Sequence, residues 1–414
     1  MIAIVGGGLS GLACAVELQR AGKTFALFEA SPCLGGRQRT SNKDGFTLDH
    51  GFQVILSSYK TVASVCDISL LRPCRFESGA LLHDGCRLTR LGSPFENPFS
   101  ALLTPAFSIG DKIRLAWLGL ELLLTPCAKL LARCASSDDR STRAFLNQRG
   151  FSKSFFTRFA QPFFGGVLLD NDLATSAGLF LYYLKKFITG HAWIPAAGIQ
   201  ALPESLASRL PSSVIHLNRR VTAIAHEPRG LVLENGEVVS ADKIILALDQ
   251  PSLCRLLRLP SPAPARSVTV VYFKTQTSLY KQPRIVLPEG ATRRVRHFVQ
   301  ITNIAAGFAP TGWHLISATI LDGGDLSGKE LADAAAHEIG GCFPHAASSL
   351  EHLETIHVPY AVPDQPPGFA ARNPFPDLPQ HVYVCGDWER GASIEAALSS
   401  GIETVKRVLC ADLK

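Results

Sequence analysis

The opening thirty residues leave few folds open. Ile2 to Val5 are all apolar, and such a quartet reads as a strand buried on both faces, as in a parallel sheet. Gly6-Gly7-Gly8-Leu9-Ser10-Gly11 follows, a G-x-G-x-x-G carried by Gly6, Gly8 and Gly11. Leu12, Ala13 and Val16 then fall at helical spacing, and Gly22 is placed to stop that helix. Phe25 to Phe28 is a second apolar strand, and it ends in Glu29. This order of parts is the start of a doubly wound α/β fold that takes a dinucleotide. The first glycine permits the tight turn, the second lets backbone approach a pyrophosphate, and the third lets helix and strand pack closely. The amides at Leu9 and Ser10 open the helix at the positive end of its dipole and face the phosphates. Glu29, 18 residues after Gly11, is placed to accept from a ribose hydroxyl and disfavours a 2′-phosphate.

The residues after Glu29 separate a nicotinamide from a flavin dinucleotide. Gly35-Gly36-Arg37 supplies flexible backbone and a cation near the same phosphates, where ordinary nicotinamide enzymes run into another helix. Asp49-His50-Gly51-Phe52-Gln53-Val54 follows. Glycine motif, acid, Gly-Gly-Arg and Asp-x-Gly together resemble the FAD-dependent flavoproteins that include amine oxidases, phytoene desaturases and protoporphyrinogen oxidases. The resemblance implies a Rossmann-type, glutathione reductase-like FAD domain. It also implies that Gly51, Phe52, Gln53 and Val54 run beside the flavin ring.

Two further stretches fit that resemblance. Val382 to Cys385 reads as a strand before Gly386-Asp387, and Ser393 can cap a helix with Ile394, Ala397, Leu398, Ile402, Val405 and Val408 at helical spacing. A helix start aimed at a reduced flavin stabilises its charge. By resemblance, Asp387 bonds the ribityl–phosphate part of FAD and Ile394 gives its amide to the flavin. Strand signals at 219–224, 231–233 and 238–239 surround the Asn235-Gly236 turn, and 241–247 returns as a buried strand. The resemblance puts the backbone of Val221 at the adenine, although an ordinary hairpin reads the same way.

The FAD domain is thus expected over 1–75, 205–260 and 375–414. A discontinuous α+β substrate domain is expected over 76–204 and 261–374, bounded by Pro260, Pro262 and Pro264 and by Pro363, Pro366 and Pro367. A length of 414 residues at roughly 150 per domain agrees with two or three domains. Residues 100–190 read helical, and strands are expected at 268–273, 295–301 and 314–321. Phe151, Phe155, Phe156, Phe159, Phe163 and Phe164 crowd one segment, which reads either as a core or as an apolar pocket. Phe163, Phe164, Trp193 and Trp388 are the candidates for lining that pocket. Leu115 to Leu131 is compatible with an amphipathic helix on a membrane surface.

Departures from the relatives bear on substrate. Ala265-Arg266-Ser267-Val268-Thr269-Val270 lacks the lysine that amine oxidases place near flavin N5, and Gly391-Ala392-Ser393 lacks their cage aromatic. Both absences favour hydride transfer from a substrate carbon to flavin N5 by a desaturase or oxidase of an apolar, isoprenoid-like compound. Oxidation of amines or porphyrinogens, a non-redox flavin-dependent isomerase or mutase, and a flavin-binding module without turnover are the alternatives. Oxygen or a quinone is the expected electron acceptor. His50 and Gln53 are the catalytic candidates, each equally readable as a structural hydrogen bond. His337, Cys342, His345 and His352 read as surface and core residues, so no metal is expected. A net charge of +6 without charge runs argues against nucleic acid. Eleven scattered cysteines, an odd number, and a start without a basic leader favour reduced thiols in the cytoplasm.

Overall fold

The computed structural model describes residues 1–84, 87–92, 106–260, 265–290, 293–372, 374–375 and 377–411. Pro262, Pro264 and positions 100–105 of the expected helical region lie outside the described residues.

A five-stranded parallel sheet runs in the order Ile215–His216, Phe25–Phe28, Ile2–Val5, Lys243–Leu246 and Val382–Val384. Strict alternation explains its burial. Ile2, Ile4, Phe25, Leu27 and Ile245 enter one core, and Ala3, Val5, Phe28, Ile244 and Leu246 enter another on the opposite face. The Leu9–Arg20 and Ile394–Cys410 helices cover the first face and touch each other. Their close crossing needs glycine, because a Cβ on Gly401 would come within 2.3 Å of the Ser10 carbonyl. An antiparallel trio, Val221–His226, Arg229–Leu233 and Val238–Ser240, covers the second face.

A seven-stranded sheet forms the other half. Its order is Glu351–Val362, Arg266–Thr275, His314–Ile320, Val295–Gln300, Val286–Pro288, Ala80–His83 and Leu88–Leu91. All neighbours are antiparallel except Val286–Pro288 against Ala80–His83. The edge strand Leu88–Leu91 carries no strong local pattern in the sequence; pairing to Ala80–His83 defines it.

Helices Ile109–Leu124, Cys127–Arg133, Thr142–Gln148 and Ala177–Ile188 cap this half. The phenylalanine run winds as a π-helix over Phe156–Phe164, with Pro162 inside it contributing no N–H. Leu115 to Leu131 is not one helix. The chain breaks at Thr125-Pro126, and the Ile109–Leu124 and Cys127–Arg133 helices meet at 108°. Among the described residues no single helix is long and apolar enough to cross a membrane.

One expected domain boundary also moves. A cut at 204/205 would pass through the Ala201–Ala207 helix, whose Leu202 and Leu206 are both buried in the parallel-sheet core. Trp193 and Ile199 lie in the same core, so the chain has returned to the first half before residue 205.

Candidate active site

The helix of residues Leu9–Arg20 starts without a side-chain cap at Gly8, so its first amides are left for another acceptor. The space beside Gly8 is open, with no atom within 4 Å of where a Cβ would stand. Its neighbours are closed: a Cβ on Gly6, at φ +105°, would meet the Ala247 carbonyl at 2.4 Å, and one on Gly11 the Gly6 carbonyl at 1.9 Å. Gly36 passes over Gly8, its Cβ position 3.3 Å from Gly8 Cα, and Gly35 donates its amide to the Gly7 carbonyl (2.9 Å). Glu29 accepts from the Gly7 amide (2.7 Å) and the Ser31 amide (2.8 Å), which fixes the carboxylate at the lip of this cradle.

The two distant parts of the chain close on each other here. Arg37 donates through both terminal nitrogens to the two carboxylate oxygens of Asp387, at 2.8 and 2.6 Å. Asp387 is 4% exposed, so its carboxylate is buried, whereas the Arg37 side chain is only half-buried. Ser393 caps the Ala396 amide (3.1 Å) at the start of the last helix. Cys14 and Cys385 bring their thiols to 3.8 Å in the same seam, where burial is among the forces raising the Cys385 thiol well above its ordinary range, after its bond to Cys14.

A continuous cavity of 1190 Å³ extends from this cradle to the seven-stranded sheet. Single small-molecule pockets run to about 300–1,000 Å³, so there is room for a dinucleotide and a second molecule end to end. Gly6, Gly8, Leu9, Ser10, Glu29, Gly36, Arg37, Val221, Gly386, Asp387 and Ile394 line one end. Gly51, Phe52, Gln53 and Val54 line the middle, and Phe163 and Phe164 the far end, joined by Phe107, Phe159 and Phe187. The residues present therefore fit a flavin dinucleotide: open helix amides, a backbone cradle without side chains, and an acid at its lip. Gly11 and Gly35 do not line the cavity; they shape it through the close contacts given above.

Trp193 and Trp388 are corrections. Trp193 is buried in the parallel-sheet core on the Ala192–Pro195 strand, which pairs with Ile55–Leu56 and Pro73–Arg75. Trp388 packs edge-on to Phe375 and donates to the Leu248 carbonyl (3.1 Å). Neither lines the cavity. Indole needs a buried partner for its N–H, and Trp388 found one on the far side of the sheet.

His50 and Gln53 both border the cavity, yet both are engaged structurally. His50 Nε2 lies 3.3 Å from the Ser41 hydroxyl, and burial followed by the charge of Arg39 lowers its pKa. Gln53 donates to the carbonyls of Arg37 (2.9 Å) and His50 (3.1 Å) and accepts from Gln38, which ties the Gly-Gly-Arg loop to the Asp-x-Gly turn. Below that turn Asp49 is almost fully buried. It accepts from Thr40 (2.6 Å) and the Ile199 amide (2.9 Å), but burial outweighs these bonds and pushes its carboxyl up to about 6.

The sheet floor carries residues that the motifs did not flag. Val268 and Val358, opposite each other in register, face the cavity near Gly51. The cation of that stretch, Arg266, is turned away to Asp364 and Asp170. On the neighbouring strands Thr319 and His297 also line the cavity. A histidine inside the apolar strand Val295-Arg296-His297-Phe298-Val299 is the one sequence signal for this pair, but only strand register shows that it faces the cavity. At the last helix an aromatic has no room: a Cβ on Gly391 would already meet Leu179 at 2.9 Å and the Tyr183 hydroxyl at 3.4 Å. Among the described residues no group of three His, Cys, Asp or Glu side chains is arranged to hold a metal. His345 and His352 instead contact the Ser278 carbonyl and the Thr355 hydroxyl.

Known proteins share this frame. A mitochondrial protoporphyrinogen oxidase of Nicotiana tabacum is 29% identical over 172 residues, 40% of this chain and 32% of the relative. A coproporphyrinogen III oxidase of Bacillus subtilis is 24% identical over 300 residues, 62% of this chain and 61% of the relative. A 4,4'-diapophytoene desaturase of Staphylococcus aureus is 37% identical over 67 residues, 16% of this chain and 13% of the relative. The aligned stretches thus span less than two thirds of each of these relatives. Among solved structures, putrescine oxidase with putrescine bound superposes with a TM-score of 0.72 at 18% identity, over 99% of this chain and 98% of that one. Reduced UDP-galactopyranose mutase does so at 0.70 and 17% identity, over 99% and 95%. A model of the flavin containing amine oxidoreductases matches residues 9–409, nearly the whole chain, and the protein belongs to that family.

Proposed function

We propose that this oxidoreductase removes a hydride from a carbon of a small, largely apolar molecule, as a desaturase or oxidase of isoprenoid-like compounds. The observation that carries this reading is the far end of the cavity, walled by Phe107, Phe159, Phe163, Phe164 and Phe187. Bound FAD supplies the two-electron acceptor, which no side chain provides. The protein orients the substrate against the Gly51–Val54 segment and excludes water with Val268 and Val358. An amine substrate is disfavoured by Val268 on the floor, by Arg266 being paired elsewhere, and by the closed space at Gly391. Porphyrinogen oxidation is a second reading, supported by the names of two relatives. Electrons then pass to oxygen or a quinone.

We further propose a cytoplasmic enzyme that works against a lipid leaflet, and the cavity mouth supports the membrane contact. Ile109, Ile113, Trp117, Leu120, Leu123 and Leu124 are exposed along one face of their helix. Leu120 and Leu123 also line the cavity, so its rim and the apolar face are continuous. Sedimentation with vesicles of phosphatidylglycerol and phosphatidylcholine is expected to carry the protein down, and Ile113→Ser with Trp117→Ser is expected to release it. Oxidation itself is tested by anaerobic mixing with isoprenoid and porphyrinogen panels. Bleaching of the yellow flavin band by an isoprenoid supports the first reading, and bleaching by porphyrinogens alone the second. An altered product with an unchanged spectrum would make the enzyme an isomerase.

A further inference from the structure

We propose that His297 and Thr319 form a binding subsite for one uncharged hydrogen-bonding group, a hydroxyl or carbonyl, on an otherwise apolar substrate. The inference rests on reading the cavity as the substrate site and narrows the substrate class, because a pure hydrocarbon would leave the subsite unmet.

Among the residues of the seven-stranded sheet that line the cavity, His297 and Thr319 alone carry hydrogen-bonding side chains; their neighbours are Leu91, Val268, Val358, Ala361 and Val362. The two are opposite each other in register on adjacent strands, with His297 Nε2 3.0 Å from the Thr319 hydroxyl. His297 is 5% exposed, and its Nδ1 makes no hydrogen bond among the described residues. The ring cannot swing freely. It packs edge-on to Phe52 at 5.0 Å, and a Cβ on Gly166 would come within 2.6 Å of Nδ1. Phe52 belongs to the segment lining the middle of the cavity, so the subsite sits between the dinucleotide end and the phenylalanine end.

A phenylalanine would fill this position without burying polar atoms, and an unmet buried polar atom is costly. Thr319 can donate to Nε2 or accept from it, which leaves Nδ1 a donor in one tautomer and an acceptor in the other. Either tautomer suits a hydroxyl, and the donor form suits a carbonyl. Burial lowers the His297 pKa to about 4, so the ring is neutral and cannot balance a buried carboxylate. A site built to bond a substrate group rejects the analogue lacking it.

Farnesol and farnesene, an alcohol and a hydrocarbon on the same skeleton, test this on the holoenzyme, with dissociation constants read from perturbation of the flavin absorbance. Wild type is expected to bind farnesol about tenfold more tightly. The preference is expected to fall within about twofold in His297→Phe and to drop about threefold in Thr319→Val. Should His297→Phe not retain flavin, Thr319→Val carries the test. Equal binding of the two probes by wild type overturns the subsite, as does a preference that survives in the variants. If neither probe perturbs the flavin, the apolar-cavity reading falls, and the subsite with it.

Discussion

The two ends of the cavity are built by different means. At the dinucleotide end the contact surface is largely backbone, exposed because side chains are missing at Gly6, Gly8 and Gly36. At the substrate end the surface is side chain: Val268, His297, Thr319 and Val358, each from its own strand. Backbone sites depend on local dihedrals and close approach, so a few contiguous residues encode them. A sheet floor depends on register, so its members lie scattered along the chain and change with any slip of one residue. The first end is the same for any substrate; the second is free to vary.

That contrast should be most severe under a single added side chain. Gly11→Val puts two methyl groups where even a Cβ is 1.9 Å from the Gly6 carbonyl. It is expected to abolish flavin retention, seen as loss of absorbance in the purified protein, and to cost on the order of 4 kcal/mol. Val268→Ala on the floor is expected to cost about 2 kcal/mol and to leave flavin content intact. Equal flavin loss from both would break the comparison.

Asp387→Ala comes next. It strands the Arg37 guanidinium in a half-buried position and is expected to cost about 3 kcal/mol by denaturant unfolding. Adding Arg37→Leu should recover part of that loss, since both charges are then gone. No recovery would mean that Arg37 matters chiefly for holding the phosphates.

The smallest effect sharpens the comparison by sign. Asp49, under the dinucleotide end, has its carboxyl raised to about 6 from an ordinary 3.8, so the stability it contributes is full below the lower value and lost as pH rises through the upper. His297, on the floor, is lowered to about 4 from 6.5, so its contribution is full above 6.5 and lost as pH falls towards 4. Asp49→Asn keeps an oxygen for Thr40 and Ile199 and is expected to stabilise the protein by about 2 kcal/mol at pH 7.5, a gain that vanishes near pH 4. His297→Phe should flatten the acid side instead. Melting temperatures across that range read both, and slopes of the same sign would refute the assignment.

How much of this was readable beforehand follows the same division. The parallel strands, the glycine turn, Glu29, the Gly-Gly-Arg loop and the capped last helix were legible because each is a short, local pattern. The Arg37–Asp387 pair was not, although both residues were singled out, since nothing local says that they meet. The indoles at 193 and 388 were misassigned for a related reason: an aromatic beside a motif shares its sequence neighbourhood but not its face of the sheet. Leu115 to Leu131 was read through as one helix, although Pro126 marks a sharp turn inside it. His297 and Thr319 were passed over because a single histidine in an apolar strand gains meaning only from the strand beside it.

The contact between the Leu9–Arg20 and Ile394–Cys410 helices has a consequence for how the molecule is made. A ribosome adds about 5–20 residues per second, so the earlier helix emerges tens of seconds before its partner exists. Through that interval the helix can lie on Ile2–Val5 and Phe25–Phe28, but the side that Ile394–Cys410 later covers is bare, and the nucleotide cradle lacks its second wall. Loading of the prosthetic group is therefore expected to wait until the Ile394–Cys410 helix has emerged.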